Sequence, residues 1–215
     1  MKLHDKIKII LPALDRLYPQ AHTALAFRNP LEMLVATILS AQCTDKKVNE
    51  VTRVLFQKYR SAKDFAEVPL AELEADIRPT GFFHNKAKSI KNCCAELIRS
   101  HKGQVPRTME ELTALPGIGR KTANVVLGSA FGIPGLVVDT HVGRIAQRLG
   151  LTREKDPVKI EFALMPLIPR EQWILFSHQL IDHGRSLCPA RGPRCPECPL
   201  RPACDYGSTQ GKAGR

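Results

Sequence analysis

The sequence lacks an uncharged apolar segment of membrane-spanning length. Its longest uncharged stretch, Thr122 to Val138, is interrupted by Gly128, Gly132, Pro134 and Gly135, whereas a spanning helix needs about 20 mostly apolar residues. It also lacks a secretory start. The opening MKLHDKIKIILPALDRLY carries Asp5 and Asp15 among its apolar residues, where a signal peptide has an uncharged run after a basic start. An intracellular location is therefore expected, one in which thiols stay reduced. Acidic residues are scarce: 21 Asp and Glu stand against 32 Lys and Arg, a formal net charge of +11. That excess sets no fold, but it favours a polyanionic partner, nucleic acid or an acidic membrane surface. Long period-two alternation is missing, which argues against a sheet. Low-complexity sequence is confined to a tail, Gly207 to Arg215, expected to fray. What remains, at 215 residues, 43% hydrophobic and 25% charged, is a globular chain long enough for one large domain or two small lobes.

What is present is helical punctuation. Pro30 opens an apolar run to Leu39, and Thr44 or Asp45 caps a stretch where Val48, Val51, Leu55 and Phe56 recur at helical spacing. Ser61 and Pro69 start two shorter helices. Asn85 precedes a helix with Ala87, Ile90, Cys94, Leu97 and Ile98 on one face, stopped by Gly103. Thr108 with Glu111 is a capping-box pattern before a short helix ending at Leu115. Beyond Pro116-Gly117 another helix runs from about Arg120 to Phe131. Asp139 follows the strand-like Val137-Val138 and caps a helix carrying Val142, Ile145, Ala146 and Leu149 to Gly150. Pro157 and Arg170 begin two more. The predicted fold class is all-α.

Seven cysteines in a reducing compartment need an explanation other than disulfides. Cys43, Cys93 and Cys94 sit in helix-like apolar contexts and read as small buried hydrophobes. Cys188, Cys195, Cys198 and Cys204 form a C-x6-C-x2-C-x5-C cluster in a Pro-rich segment with little core of its own. Four thiolates so close suit either tetrahedral zinc or an iron–sulfur cluster, and the spacing leaves both open. With no open coordination position, the metal would staple the loop rather than catalyse. Arg191 and Arg194 lie on the arc between the first two cysteines; they read as a phosphate clamp or as a solvated basic loop.

The most informative stretch is Leu115-Pro116-Gly117-Ile118-Gly119-Arg120-Lys121-Thr122-Ala123. One helix ends, Gly117 and Gly119 permit a tight turn and close backbone approach to a ligand, and another helix begins at once. Its unpaired N–H groups and positive dipole end offer a phosphate site, so the stretch reads as a helix-hairpin-helix. Lys121 follows directly. A free lysine, with a pKa of about 10.4, is neutral only about once in 2,500 at pH 7, so a nucleophilic role requires desolvation or nearby positive charge. The alternative is one more phosphate-binding lysine. Asp139 is likewise a plain helix cap or a catalytic carboxylate held in place by capping.

Taken together, LPGIGRKTANVV, VDTHVGR, the four-cysteine tail and Leu39-Ser40-Ala41-Gln42 with Thr44-Asp45 resemble the endonuclease III family of bifunctional DNA glycosylases and abasic-site lyases. The resemblance covers nearly the whole chain. It implies two helical lobes: a six-helix barrel over residues 22–132, with its helix-hairpin-helix at 112–131, and a discontinuous lobe of 1–21 and 133–215 carrying the cluster loop 188–204. A DNA-binding cleft between them would receive the extruded base. It implies a 4Fe-4S cluster on Cys188, Cys195, Cys198 and Cys204. It implies attack by Lys121 on C1′ of a damaged pyrimidine nucleoside in duplex DNA, a Schiff base, assistance from Asp139, and β-elimination at the abasic site. Gln42 would fill the vacated space and the Gly81-Phe82-Phe83 turn would act as a wedge. Phe82 departs from the family pattern, which has leucine there, and reads equally as a core residue. The adenine-mismatch relatives lack a lysine at position 121 and carry an additional C-terminal domain. A thymine-mismatch or pyrimidine-dimer glycosylase of the same superfamily, and a non-catalytic DNA-binding protein with a redox-sensing cluster, are the remaining alternatives. A monomer associated with the nucleoid is the expectation for assembly and location.

Overall fold

The computed structural model of the chain describes residues 1–210. Among these, regular structure is entirely α-helix and short 3-10 turns, with no strand. The chain divides into two compact units, Thr23–Ile133 and a discontinuous one formed by Met1–His22 with the chain from Pro134 onward.

Helix α1 (Leu3–Leu17) belongs to the discontinuous unit and buries Ile7, Ile10, Ala13 and Leu14 in its core. The continuous unit then runs through α2 (Pro30–Leu39), α3 (Asp45–Lys58), α4 (Ala62–Glu67), α5 (Leu70–Ile77), α6 (Phe83–His101), α7 (Met109–Ala114) and α8 (Arg120–Phe131). The discontinuous unit resumes with α9 (Thr140–Leu149), α10 (Pro157–Leu164), α11 (Trp173–Ser186) and α12 (Asp205–Gln210).

Side-chain caps fix six of the helix starts. Asn29 accepts from the Glu32 N–H with Pro30 in the first turn of α2, and Thr44 accepts from Lys47 at α3. Ser61 and Asp64 form a reciprocal capping box at α4. Within the continuous unit, α2 is sunk deepest: Met33, Leu34, Val35, Ala36 and Leu39 are fully buried, and Ala123, Val126 and Leu127 of α8 join the same core. Burying one such leucine contributes about 1.5–3 kcal/mol. In the discontinuous unit Val142, Ile145 and Leu149 of α9 meet Phe176 and Leu180 of α11, with Leu200 and Ala203 from the cysteine-rich loop. Lys6 fastens three pieces of this unit: its buried Nζ donates to Leu149 O at 2.6 Å and to Asp205 Oδ1 at 2.5 Å.

Several local expectations change. Helix α6 begins at Phe83 rather than after Asn85, because Phe82 adopts the left-handed conformation at φ 49 and its carbonyl accepts the first helical bond, from Lys86 N–H. An aromatic residue is an unusual cap, so the pattern hid it. Cys93 and Cys94 are buried as expected, but Cys43 lies half-buried in the turn before α3. Val137-Val138 is buried but forms no strand, and Arg170 starts a 3-10 turn from which α11 continues at Trp173. Of the tail expected to fray, Gly207 to Gln210 belong to α12, where Gly207 N–H donates to Cys204 Sγ at 3.3 Å. Residues 211–215 lie outside the described residues.

Candidate active site

The hairpin between α7 and α8 is anchored by buried Leu115 and Ile118, whose backbones turn by the bonds Leu115 N–H to Leu112 O and Ile118 N–H to Leu115 O. Only one of its two glycines carries the turn. Gly117 sits at φ +78, and a Cβ there would lie 3.3 Å from Ser89 Oγ. Gly119 is extended, at φ −90, with nothing near the place of a Cβ. Its side-chain vacancy therefore faces outward. As the residue preceding α8 it supplies no side-chain cap to that twelve-residue helix, and the positive end of a helix dipole favours an anion. Lys121 stands in this first turn and is exposed, while α8 is fixed through Ala123, Val126 and Leu127. Packing within its own unit thus does not desolvate the amine.

Asp139, in the other unit, is half-buried. Oδ1 accepts from the N–H groups of His141 and Val142, both at 2.8 Å, which fixes the carboxylate plane. Oδ2 takes no hydrogen bond within that unit. The approach to the cap is held by buried Leu136, Val137 and Val138, with Val137 N–H donating to Ser177 Oγ at 3.0 Å. His178 on α11 is within electrostatic reach of Asp139. Burial holds this imidazole below its ordinary value; Asp182 opposes the shift, His22 and Arg185 reinforce it, and Asp139 opposes it. No sequence motif marks His178, because the proximity arises from packing of α11 beside the start of α9.

Gln42 and Phe82 come together within the continuous unit. Both are non-glycine residues in the left-handed region, at φ 51 and φ 49, an arrangement enriched where function dictates backbone shape. Phe82 is 62% exposed, which overturns its reading as a core residue. With Asn85, Lys86, Ser89 and Gly117 they line a pocket of about 280 Å³.

The two loop arginines differ. Arg191 is exposed and makes no hydrogen bond among the described residues. Arg194 donates to Ser186 O at 2.8 Å and lies 3.7 Å from Glu197, so part of its fork braces the loop itself. The four cysteines line one small pocket together with Ile145, Leu149 and Leu200. Arg148 donates to Cys188 Sγ at 3.1 Å and to Pro189 O at 2.8 Å, and stacks 4.7 Å from the Tyr206 ring centre. Burial raises the Cys198 and Cys204 thiols, and the neighbouring cysteines add to it. Among the described residues no three His, Cys, Asp or Glu side chains converge closely enough to hold a single metal ion. Thiols spread around a shared space fit a group that occupies volume of its own, and the N–H to sulfur contacts suit thiolate ligands.

Comparison with known proteins places this geometry. Residues 35–170 match the HhH-GPD superfamily of base excision DNA repair proteins. The endonuclease III of Synechocystis sp. is 53% identical over 91% of this chain and 90% of its own length. A solved non-covalent endonuclease III–DNA complex is 47% identical and superposes with a TM-score of 0.93 over 99% of this chain and all of the other. A trapped endonuclease III–DNA covalent intermediate, also 47% identical, gives a TM-score of 0.93 over 98% of this chain and 100% of the other. The chain therefore belongs to the endonuclease III family, within the HhH-GPD superfamily of base excision DNA repair proteins.

Proposed function

We propose that Lys121 and Asp139 carry the chemistry of a DNA glycosylase with abasic-site lyase activity, acting on oxidised pyrimidines in duplex DNA. The observation that carries this reading is the position of Lys121. It stands at an uncapped helix start, behind a glycine turn that can receive a phosphate, so backbone binding delivers the sugar to the amine. A related protein has been trapped covalently on DNA, as amine catalysis requires.

The Lys121 Nζ lone pair bonds to C1′ while the C1′–base bond breaks and the base leaves with the bonding pair. Opening of the sugar ring gives the iminium. That cation acidifies C2′; loss of its proton supplies the electron pair that forms the C2′–C3′ double bond and expels the 3′ phosphate. Positive charge builds on the sugar as the base departs, and the Asp139 carboxylate stabilises it. Its capped Oδ1 fixes the orientation, and Oδ2 is available to take a proton, directly or through water. Because Lys121 is exposed in its own unit, the water exclusion that favours its neutral form is supplied by the bound duplex. Gln42 and Phe82 fill the space left by the extruded nucleotide, whose unstacking costs a few kcal/mol. Arg191 contacts phosphate.

Cys188, Cys195, Cys198 and Cys204 would hold a 4Fe-4S cluster, which would staple the loop. The reaction steps do not pass through it.

Borohydride trapping on duplex DNA bearing one thymine glycol tests the assignment. A covalent adduct is expected, lost in Lys121→Gln, whose DNA affinity stays within about threefold. Full strand scission by Lys121→Gln would refute it.

A further inference from the structure

Lys86 is among the most buried lysines of the chain, at 5% exposure. It sits one turn into α6 and points its ammonium at two other elements. Nζ donates to Leu39 O, in the last turn of α2, at 2.8 Å, and to Thr80 O, at the end of the Arg78–Thr80 3-10 turn, also at 2.8 Å. Both acceptors are C-terminal carbonyls without a continuing helical partner, the place where a cation is favoured. Each lies just upstream of a strained residue. Leu39 precedes the turn that ends in Gln42, and Thr80 precedes Gly81-Phe82. One ammonium thus ties the bases of both turns, and Lys86 lines the same pocket as Gln42 and Phe82. Burial lowers the Lys86 pKa, so removing water from a charged group is tolerated here in exchange for two fixed carbonyls.

A buried lysine is a costly way to satisfy two carbonyls that exposed helix ends leave to water. What it adds is a fixed separation. Gln42 and Phe82 line one pocket with backbone conformations that side-chain residues rarely adopt. Lys86 links the two turns through both carbonyls.

We propose that Lys86 is a positioning residue that locks the Gln42 and Phe82 turns at one spacing, so that both enter the duplex together when the damaged base is extruded. The proposal rests on the reading of those two residues as gap fillers. It assigns Lys86 no contact with the reacting atoms.

The test separates extrusion from chemistry. Lys86→Met keeps the apolar stem and removes the donors. Single-turnover excision is measured on thymine glycol in paired duplex, and strand scission on a preformed abasic site, which has no base to extrude. The expected result is a loss of about tenfold or more in excision with scission held within about threefold. A 2-aminopurine opposite the lesion should also lose its fluorescence rise, and Lys86→Arg, which can reach both carbonyls, should recover excision. Equal loss on both substrates, or no loss on either, overturns the proposal. If the Met variant does not fold, Lys86→Gln is read the same way, since its shorter amide spans only one of the two carbonyls. Gln42→Ala and Phe82→Ala are measured alongside. If both leave excision unchanged, the gap-filling reading fails; if both impair it while Lys86→Met does not, the brace alone fails.

Discussion

Replacing Gly150 by alanine tests how the discontinuous unit is fastened around its cysteine-rich loop. Gly150 closes α9 at φ +71, and an alanine there costs about 1–2 kcal/mol for the left-handed conformation alone. Space is the larger problem. The new Cβ would lie 1.8 Å from Asp205 Oδ2 and 2.7 Å from Lys6 Nζ. The Asp205 side chain is 67% exposed and can swing aside, but the Lys6 side chain is 4% exposed and cannot follow it into water. The substitution therefore breaks the pair and leaves a buried ammonium with Leu149 O as its remaining partner. One-sided loss of a fully buried ion pair costs about 3–5 kcal/mol; with one partner exposed, about 2–3 is expected here. The total of about 3–5 kcal/mol corresponds to a fall of about 6–20 °C in the melting temperature for a chain of this size. Asp205 directly follows Cys204, so the visible absorbance of the cluster proposed there should bleach before the continuous unit unfolds. Calorimetry with parallel absorbance measures both. A loss under about 0.5 kcal/mol, or bleaching that coincides with global unfolding, refutes the reasoning.

Asp139→Asn keeps a capping oxygen and loses the carboxylate, so stability should change by less than about 0.5 kcal/mol while excision falls about 100-fold or more; denaturant titration beside single-turnover kinetics checks both. If about five phosphates are neutralised, log K should fall against log salt with a slope near −4 to −5. Arg191→Ala should flatten that slope by about one, and Arg194→Ala by less, because Arg194 already bonds Ser186 O; fluorescence anisotropy across a salt series decides this. The Cys93 thiol is pushed up to about 12 by burial, with Glu96 adding to it. Folded Cys93 stays protonated where the unfolded thiol, near 9, ionises, so its stabilising contribution is complete below pH 9 and is lost as pH rises towards 12. The decline is about 1.4 kcal/mol per pH unit over that range, and Cys93→Ala should remove that much of the slope in alkaline denaturant titrations.

Most of the helical plan was legible in the sequence, because it follows from local chemistry. Thr44, Ser61 and Asp139 are caps whose side chains reach only two or three residues along the chain, so their function survives without knowledge of the fold. The cysteine spacing and the hairpin are similarly local, which is why Lys121, Asp139 and the four cysteines could be singled out by position. Tertiary structure decided the rest. That a side chain at Gly117 would meet Ser89, a residue of another helix, while one at Gly119 would meet nothing, is set by packing. That Phe82 faces outward, in a conformation a bulky residue rarely takes, depends on how the 3-10 turn meets α6. The links Lys86 makes to Leu39 and Thr80, His178 to Asp139, and Lys6 to Asp205 join residues far apart in the chain or in different helices. Periodicity assigns a residue to a face of its helix; only packing determines which other element meets that face, and therefore which charges, carbonyls and strained turns act on one another.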